Sequence, residues 1–299
     1  MAKKFRHKIE NVALSVLLAL VRVLPYRWAI GLGGSIGGLI WRLGIRRDVS
    51  RYNLGLCLPE YSGKLADRIL RSSYRNFCRS MVEFALLPKL KAKTLNYVDF
   101  VGLEDVLELV RAGEGMLLVT GHFGSWELLG AALCEAGLPL DFLVGEQTNH
   151  TVDDIINNIR TEMGIGIIHM GVAARGVIKS VRSGRSVAML SDQDAGKSST
   201  IVEFFGNPAA TPGGIAAFAL KLKCPIIGGA IIRKLDPIKH VVEIQVLRPD
   251  YSTLPDDKEL AIAKLTQDYT DVLECYVREH PEMYFWPHRR FKSTIGYPK

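Results

Sequence analysis

The chain has 299 residues, 48% of them apolar, and carries 38 Lys/Arg against 31 Asp/Glu for a net charge of +7. That length and apolar share suit one large α/β domain, and no linker, repeat or low-complexity tract divides it. Its five cysteines, Cys57, Cys78, Cys134, Cys224 and Cys275, form no Cys-x-x-Cys pair. This argues against a zinc site and a disulfide framework and predicts buried thiols facing a reducing cytoplasm.

The charge is unevenly placed. Residues 1–55 hold ten Lys/Arg and two acidic residues, while the remainder is close to neutral. A basic segment interleaved with apolar runs predicts an anionic membrane surface rather than nucleic acid as partner. The apolar runs are 11–21 and 28–41, each shorter than the roughly 20 residues that span a bilayer. The second contains Gly33-x3-Gly37 and Gly34-x3-Gly38, spacing that lets helices approach closely. No clear cleavage site follows. The expectation is an uncleaved anchor over residues 1–45, single-span or monotopic, ahead of a catalytic domain over residues 46–299. The alternative is a pair of buried core helices. Gly31-Leu32-Gly33-Gly34 lies in this segment rather than after a strand, so it is no dinucleotide fingerprint.

Helical periodicity runs from 65 to 87, with Pro88 expected to end it. Strand-like runs follow at 98–101, 116–120, 141–144, 166–169, 186–190, 225–232 and 240–247. Helical patterns lie at 103–112, 125–136, 151–163, 171–183, 213–223 and 256–280. This alternation predicts an α/β fold: a mostly parallel central sheet covered by helices on both faces, with the N-terminal helical segment associated with a membrane. Active sites of such sheets gather at the carboxyl ends of strands.

The run 116–120 leads into Gly121-His122-Phe123-Gly124-Ser125-Trp126-Glu127. A histidine accepts a proton near neutral pH, and a carboxylate on its other ring nitrogen fixes the tautomer. With Ser125 as helix N-cap and Glu127 in the first turn, His122 and Glu127 are the candidate base and orienting acid. Against this stands the reading of Glu127 as a helix-dipole partner and His122 as a plain loop residue. No Gly-x-Ser-x-Gly elbow is present, so the hydroxyl to be activated belongs to the substrate.

Further along, Arg160 sits on a helix, either solvated and bonded to Asn157 or placed to grip a phosphate or oxyanion. Ser191-Asp192-Gln193-Asp194-Ala195-Gly196-Lys197-Ser198 imitates a phosphate loop but lacks the first glycine and points two acids at the phosphates. The paired Asp192 and Asp194 suit a metal or a brace for the sheet-edge loop, with too few oxygen ligands in view for a dedicated metal. At the C-terminus, Trp286-Pro287-His288-Arg289-Arg290-Phe291-Lys292 combines aromatics for packing with Arg289 and Arg290 for an acidic headgroup or carrier.

Gly121–Glu127, Asn53-Leu54 with Leu58-Pro59-Glu60, Asp192–Gly196 with Phe204-Phe205-Gly206 and Ala209–Pro212, and Tyr284–Lys292 stand in the order found in one known family. The chain resembles the late lipid A acyltransferases of Gram-negative bacteria. Ser125 departs from the asparagine more usual there. The resemblance implies a glycerolipid-acyltransferase-like α/β fold, no cofactor, and transfer of an acyl group from acyl carrier protein to a hydroxyl of a lipid A precursor. It also implies an inner-membrane enzyme with its catalytic domain on the cytoplasmic side, and a place lining the site for Asp192 and Asp194. Similar actinobacterial proteins acylate mannosylated phosphatidylinositol from acyl-CoA, and a membrane lipid-binding protein is the non-enzymatic alternative.

Overall fold

The computed structural model describes residues 16, 18–196 and 199–298. Lys3, Lys4, Arg6, Lys8 and most of the apolar run 11–21 lie outside the described residues, as do Lys197 and Ser198 of the phosphate-loop imitation.

The described residues form nine strands: β1 Val98–Val101, β2 Met116–Thr120, β3 Leu140–Val144, β4 Gly166–His169, β5 Ser186–Leu190, β6 Thr200–Phe204, β7 Asn207–Thr211, β8 Ile226–Leu235 and β9 Ile238–Leu247. The helices named among the described residues are α1 Tyr26–Arg42, α2 Arg47–Cys57, α3 Gly63–Leu90, α4 Leu103–Arg111, α5 Trp126–Glu135, α6 His150–Glu162, α7 Ala173–Arg182, α8 Gly214–Leu222 and α9 Lys258–Glu279. Seven strands form one sheet in the order β1-β9-β8-β2-β5-β3-β4. All its pairs are parallel except β8 with β9, so the mostly parallel expectation is met.

β2 lies at the centre and reads as a continuous apolar run because both its faces are covered. Met116 and Leu118 pack with Leu128, Leu129 and Leu133 of α5. Leu117 and Val119 pack on the opposite face with Val177 of α7 and Ile215 and Ala219 of α8. A third core gathers α2, the β6–β7 hairpin and the C-terminal strap, residues 281–298, around fully buried Trp286 and Phe291.

Several elements differ from the sequence expectation. The β6–β7 hairpin was unforeseen. Its turn residues Phe205 and Gly206 are both left-handed, at φ 53° and 69°, which suits a tight two-residue hairpin turn. α2 was also unforeseen, and it carries Asn53, whose amide donates to the carbonyls of Trp286 (2.7 Å) and His288 (2.6 Å). α3 does not stop at Pro88 but continues to Leu90. A proline this near the end costs little of the hydrogen-bond ladder.

α1 packs on α3 through its glycines. A Cβ added at Gly37 would lie 2.2 Å from the Tyr74 carbonyl oxygen, so only glycine permits this approach. The opposite side exposes Trp28, Leu32, Leu39 and Leu43. Among the described residues no single helix is long and apolar enough to cross a membrane; α1 and α2 pass that test only as a pair bent by 93°.

Candidate active site

The register of the central strands creates the site. Thr120 of β2 is level with Leu190 of β5. Two residues beyond each strand end stand His122 and Asp192, which face one another across the carboxyl edge of the sheet. Asp192 Oδ1 lies 2.8 Å from the imidazole Nδ1, and its Oδ2 accepts the His122 backbone N–H at 2.8 Å. Gly121 makes room for this, since a Cβ there would sit 3.1 Å from the Asp192 carboxyl carbon.

The Asp192 side chain is 3% exposed and that of His122 is 20% exposed. Burial alone would raise the Asp192 pKa, but the charge and hydrogen bonds of His122 outweigh it and hold the carboxyl below its ordinary value. Burial likewise pulls His122 down, yet the charge and hydrogen bond of Asp192, with the charge of Glu127, leave it raised. An ionised Asp192 only accepts, so Nδ1 carries the imidazole proton and Nε2 keeps a lone pair. The Gln193 amide nitrogen is 3.2 Å from Nε2 and 3.4 Å from Nδ1. Being nearly equidistant, it is not aligned with the in-plane lone pair of either.

The expected bond from Glu127 to His122 is not made. Glu127 instead takes the guanidinium of Arg160 on both oxygens, from Nε at 3.0 Å and from the terminal nitrogen at 2.5 Å. Arg160 also donates to Asn157 and lies over the rings of Phe84 and Phe142. The physical reason is helix geometry, since positions five apart do not share a face. Glu127, in the first turn of α5, points to the neighbouring helix α6 rather than back to the loop. Ser125 does occupy the N-cap position, but its side chain makes no capping hydrogen bond.

The structure also separates the residues expected to bind substrate. Arg160 lines the cavity described below. Asp192 is occupied by His122. Asp194 accepts from the backbone N–H (2.8 Å) and hydroxyl (2.7 Å) of Ser293, while its own N–H donates to His288 Nε2 at 3.0 Å, so it clasps the C-terminal strap. Arg290 is 3% exposed and donates to the Ala210 carbonyl (3.1 Å) and the Thr211 hydroxyl (2.5 Å). It holds the hairpin and presents no surface charge for docking. Arg289 is exposed and lies over the Tyr297 ring.

His122 opens into a cavity of about 540 Å³. Its polar lining, His122, Glu127, Gln147 and Gln193 with Arg160, gathers just past the carboxyl ends of β2, β3 and β5 and at the facing helices. Its apolar lining, Leu118, Leu129, Leu133, Leu140, Phe142 and Ala188, comes from within those strands and from α5. Such a volume suits a small-molecule or acyl-chain pocket. Among the described residues no group of three or more His, Cys, Asp or Glu is placed to hold a metal ion.

Sequence reasoning missed the His122–Asp192 pair and the nearness of Gln193. The available signal was that both loops leave their strands at the same edge, two residues past the end.

A mostly parallel α/β sheet with a His–Asp pair at its carboxyl edge, the aspartate buried and the histidine open to a largely apolar cavity, is a frame suited to an acyl-transferring enzyme. The chain belongs to the bacterial lipid A biosynthesis acyltransferase family, whose sequence profile matches residues 1–293. It is an acyltransferase. It is 26% identical over 278 residues to the lipid A biosynthesis palmitoleoyltransferase of Escherichia coli, covering 90% of this chain and 87% of that one. It is 27% identical over 281 residues to the E. coli lipid A biosynthesis lauroyltransferase, covering 93% and 89%. Similarity to the phosphatidylinositol mannoside acyltransferase of Mycolicibacterium smegmatis is 22% over 207 residues, 68% of each chain.

Proposed function

We propose that the chain transfers a fatty acyl group from the thioester of acyl carrier protein to a hydroxyl of a lipid A precursor. The observation that carries this reading is the His122–Asp192 pair at the polar end of a largely apolar cavity. The acyl tail occupies the apolar part, and its thioester carbonyl lies at the polar end. His122 Nε2 removes the proton of the acceptor hydroxyl, whose oxygen attacks the thioester carbon. Asp192 stabilises the imidazolium that forms. When the tetrahedral intermediate breaks its C–S bond, His122 returns the proton to the leaving thiolate. No group outside the chain and its two substrates takes part.

Glu127 acts in this scheme through its charge on His122 and through Arg160. The Glu127–Arg160 pair is nearly neutral, and the remaining N–H groups of Arg160 are left for the acceptor. Asp194 contributes by fixing the strap beside the site.

The membrane enters through residues 1–45. Exposed Trp28, Leu32, Leu39 and Leu43, with Arg27, Arg42 and Arg46 beside them, support attachment at the cytoplasmic side of the inner membrane. Fractionation tests it: release of the full-length chain by salt alone rejects an apolar anchor.

A second reading keeps the site and changes the substrates to acyl-CoA and a phosphatidylinositol mannoside. The mycobacterial relative supports it, but over a smaller share of the chain than the lipid A enzymes. Mass analysis of lipid A from cells with and without this chain tests the first reading. Loss of one acyl chain supports it, and unchanged lipid A rejects it.

A further inference from the structure

Helix α3 presents a buried polar row, Ser73, Asn76, Ser80 and Glu83. Spacings of three and four residues set them on one helix face, where apolar residues are the usual occupants. All four are engaged. The Ser73 hydroxyl donates to the Tyr284 carbonyl at 2.5 Å, and the Asn76 amide donates to the Glu282 carbonyl at 2.9 Å. The Ser80 hydroxyl donates to the Gly124 carbonyl at 2.7 Å. Glu83 takes Arg233 of β8 on both oxygens, at 2.6 Å and 3.2 Å, with His240 Nε2 3.1 Å away and the Tyr26 hydroxyl donating at 3.0 Å.

The row therefore reaches the strap and the loop that carries His122. These two are also bonded to each other. The Gly124 N–H donates to the Met283 carbonyl at 2.9 Å, and the Phe285 N–H donates to the His122 carbonyl at 3.1 Å. On its other side the loop rests directly on β8. Gly124 is left-handed at φ 56°, and a Cβ there would lie 1.9 Å from the Ile231 carbonyl oxygen.

Ser80 is the joint of this arrangement. Arg233 donates to its oxygen at 2.8 Å, so its single proton is free to be given away. The Asn76 carbonyl of its own helix is 3.0 Å distant, and the Gly124 carbonyl is nearer at 2.7 Å. Stability is a poor reason for such a row. Burying Glu83 and Arg233, both 0% exposed, costs desolvation that apolar residues of the same size would avoid.

We propose that Ser80, oriented by the Arg233–Glu83 pair, is a positioning residue that keeps the loop 121–125 in place and so holds His122 against Asp192. The proposal rests on the reading of His122 as the base. His122 faces Asp192 beyond β5, Glu127 on α5 and His288 on the strap, and Arg290 acts in turn on Asp192. Of these, Asp192 is the partner whose contact the loop position controls. Loss of that contact lowers the proton affinity of His122. The acid limb of the rate profile, where the base becomes protonated, then moves to lower pH.

The test measures kcat, KM and the pH profile of the purified full-length chain with a carrier-bound acyl thioester and a glycolipid acceptor, beside thermal unfolding. Ser80→Ala removes the hydroxyl. Ser80→Cys keeps the volume with a weak donor and guards against a variant that fails to fold. Both are expected to lower kcat on the order of 10- to 100-fold with KM nearly unchanged, and to shift the acid limb to lower pH. Ser80→Thr, which keeps the hydroxyl, restores both. Wild-type kcat and limb in Ser80→Cys would overturn the proposal. So would a fall in kcat that leaves the limb in place and follows the loss of folded protein. His122→Ala separates the two ideas. If that variant stays active, the base assignment fails and the proposal fails with it. If it is inactive while Ser80→Cys behaves as wild type, only the positioning role fails.

Discussion

Asp192 holds His122 at two atoms, the ring Nδ1 and the backbone N–H, each at 2.8 Å. One carboxylate therefore fixes the tautomer, the ring plane and the loop together. The arrangement needs both carboxyl oxygens, so it discriminates between aspartate and asparagine.

His122→Ala is expected to lower kcat by about 10²- to 10⁴-fold, the usual contribution of a positioned base, with an unchanged unfolding transition. Asp192→Asn keeps the shape but loses the charge that stabilises the imidazolium. The sign of the pH effect follows. A base works when neutral, so the rate falls as pH drops through the His122 pKa, which lies above the ordinary 6.5. Asp192→Asn removes the main cause of that rise, so the limb should move to lower pH and the plateau should fall. A limb that stays in place in Asp192→Asn would show that another group titrates.

How much of this was legible beforehand is clear from particular residues. The strands 116–120 and 186–190 were readable because each is short, apolar and bounded by turn residues. The β6–β7 hairpin was not, because Phe205 is a poor advertisement for a left-handed turn residue. His122 was readable from its place after β2. Its partner was not, because pairing it with Asp192 requires that β2 and β5 be neighbours in register, a relationship between residues 70 positions apart. Glu127, five residues away, looked the better candidate only because sequence distance is visible and sheet order is not. Buried Arg290 and exposed Arg289 are likewise adjacent in sequence and opposite in environment.

Glu127 and Arg160 should behave as one unit. Glu127→Gln leaves the Arg160 charge unpaired at the polar end of the cavity, while Arg160→Gln leaves a buried carboxylate. Each single change is expected to be more damaging than half of the double change, because the second mutation removes the group that the first stranded. A double-mutant cycle on kcat/KM and on unfolding measures this coupling, and strict additivity would reject it. Because the Glu127 charge also contributes to the raised His122 pKa, Glu127→Gln should shift the acid limb in the same direction as Asp192→Asn and by less.

The apolar end of the cavity should select acyl length. Leu133 stands about 9 Å beyond Glu127 along α5, at 1.5 Å per residue. Leu140 stands about 13 Å from Val144 at the carboxyl end of β3. Both line the cavity and are fully buried. Leu133→Ala should extend the pocket and shift preference toward longer chains, and Ala188→Leu should narrow it and favour shorter ones. Pocket contacts of this size discriminate by roughly 10- to 200-fold per methylene. Competition between thioesters of different length, read by mass analysis of the product, checks both directions. Equal product distributions in both variants would place the tail elsewhere.

The last prediction concerns the donor and separates two neighbouring arginines. Acyl carrier protein is acidic, so a basic patch beside the strap should attract it. Arg289 and Lys292 are exposed there, whereas Arg290 is committed to Ala210 and Thr211 inside the third core. Arg289→Glu with Lys292→Glu should therefore raise KM for the carrier-bound acyl group, more at low salt than at high salt, and leave unfolding unchanged. Arg290→Glu should do something different. It places a carboxylate against the Ala210 carbonyl in a buried site and should destabilise the protein by about 3–5 kcal/mol, the typical result of stranding a buried charge. Steady-state kinetics with donor and acceptor varied separately decide the first effect, and thermal unfolding decides the second. A KM rise confined to the glycolipid would assign Arg289 and Lys292 to the acceptor phosphates instead, while an Arg290→Glu variant of normal stability would contradict its place as a strut between strap and hairpin.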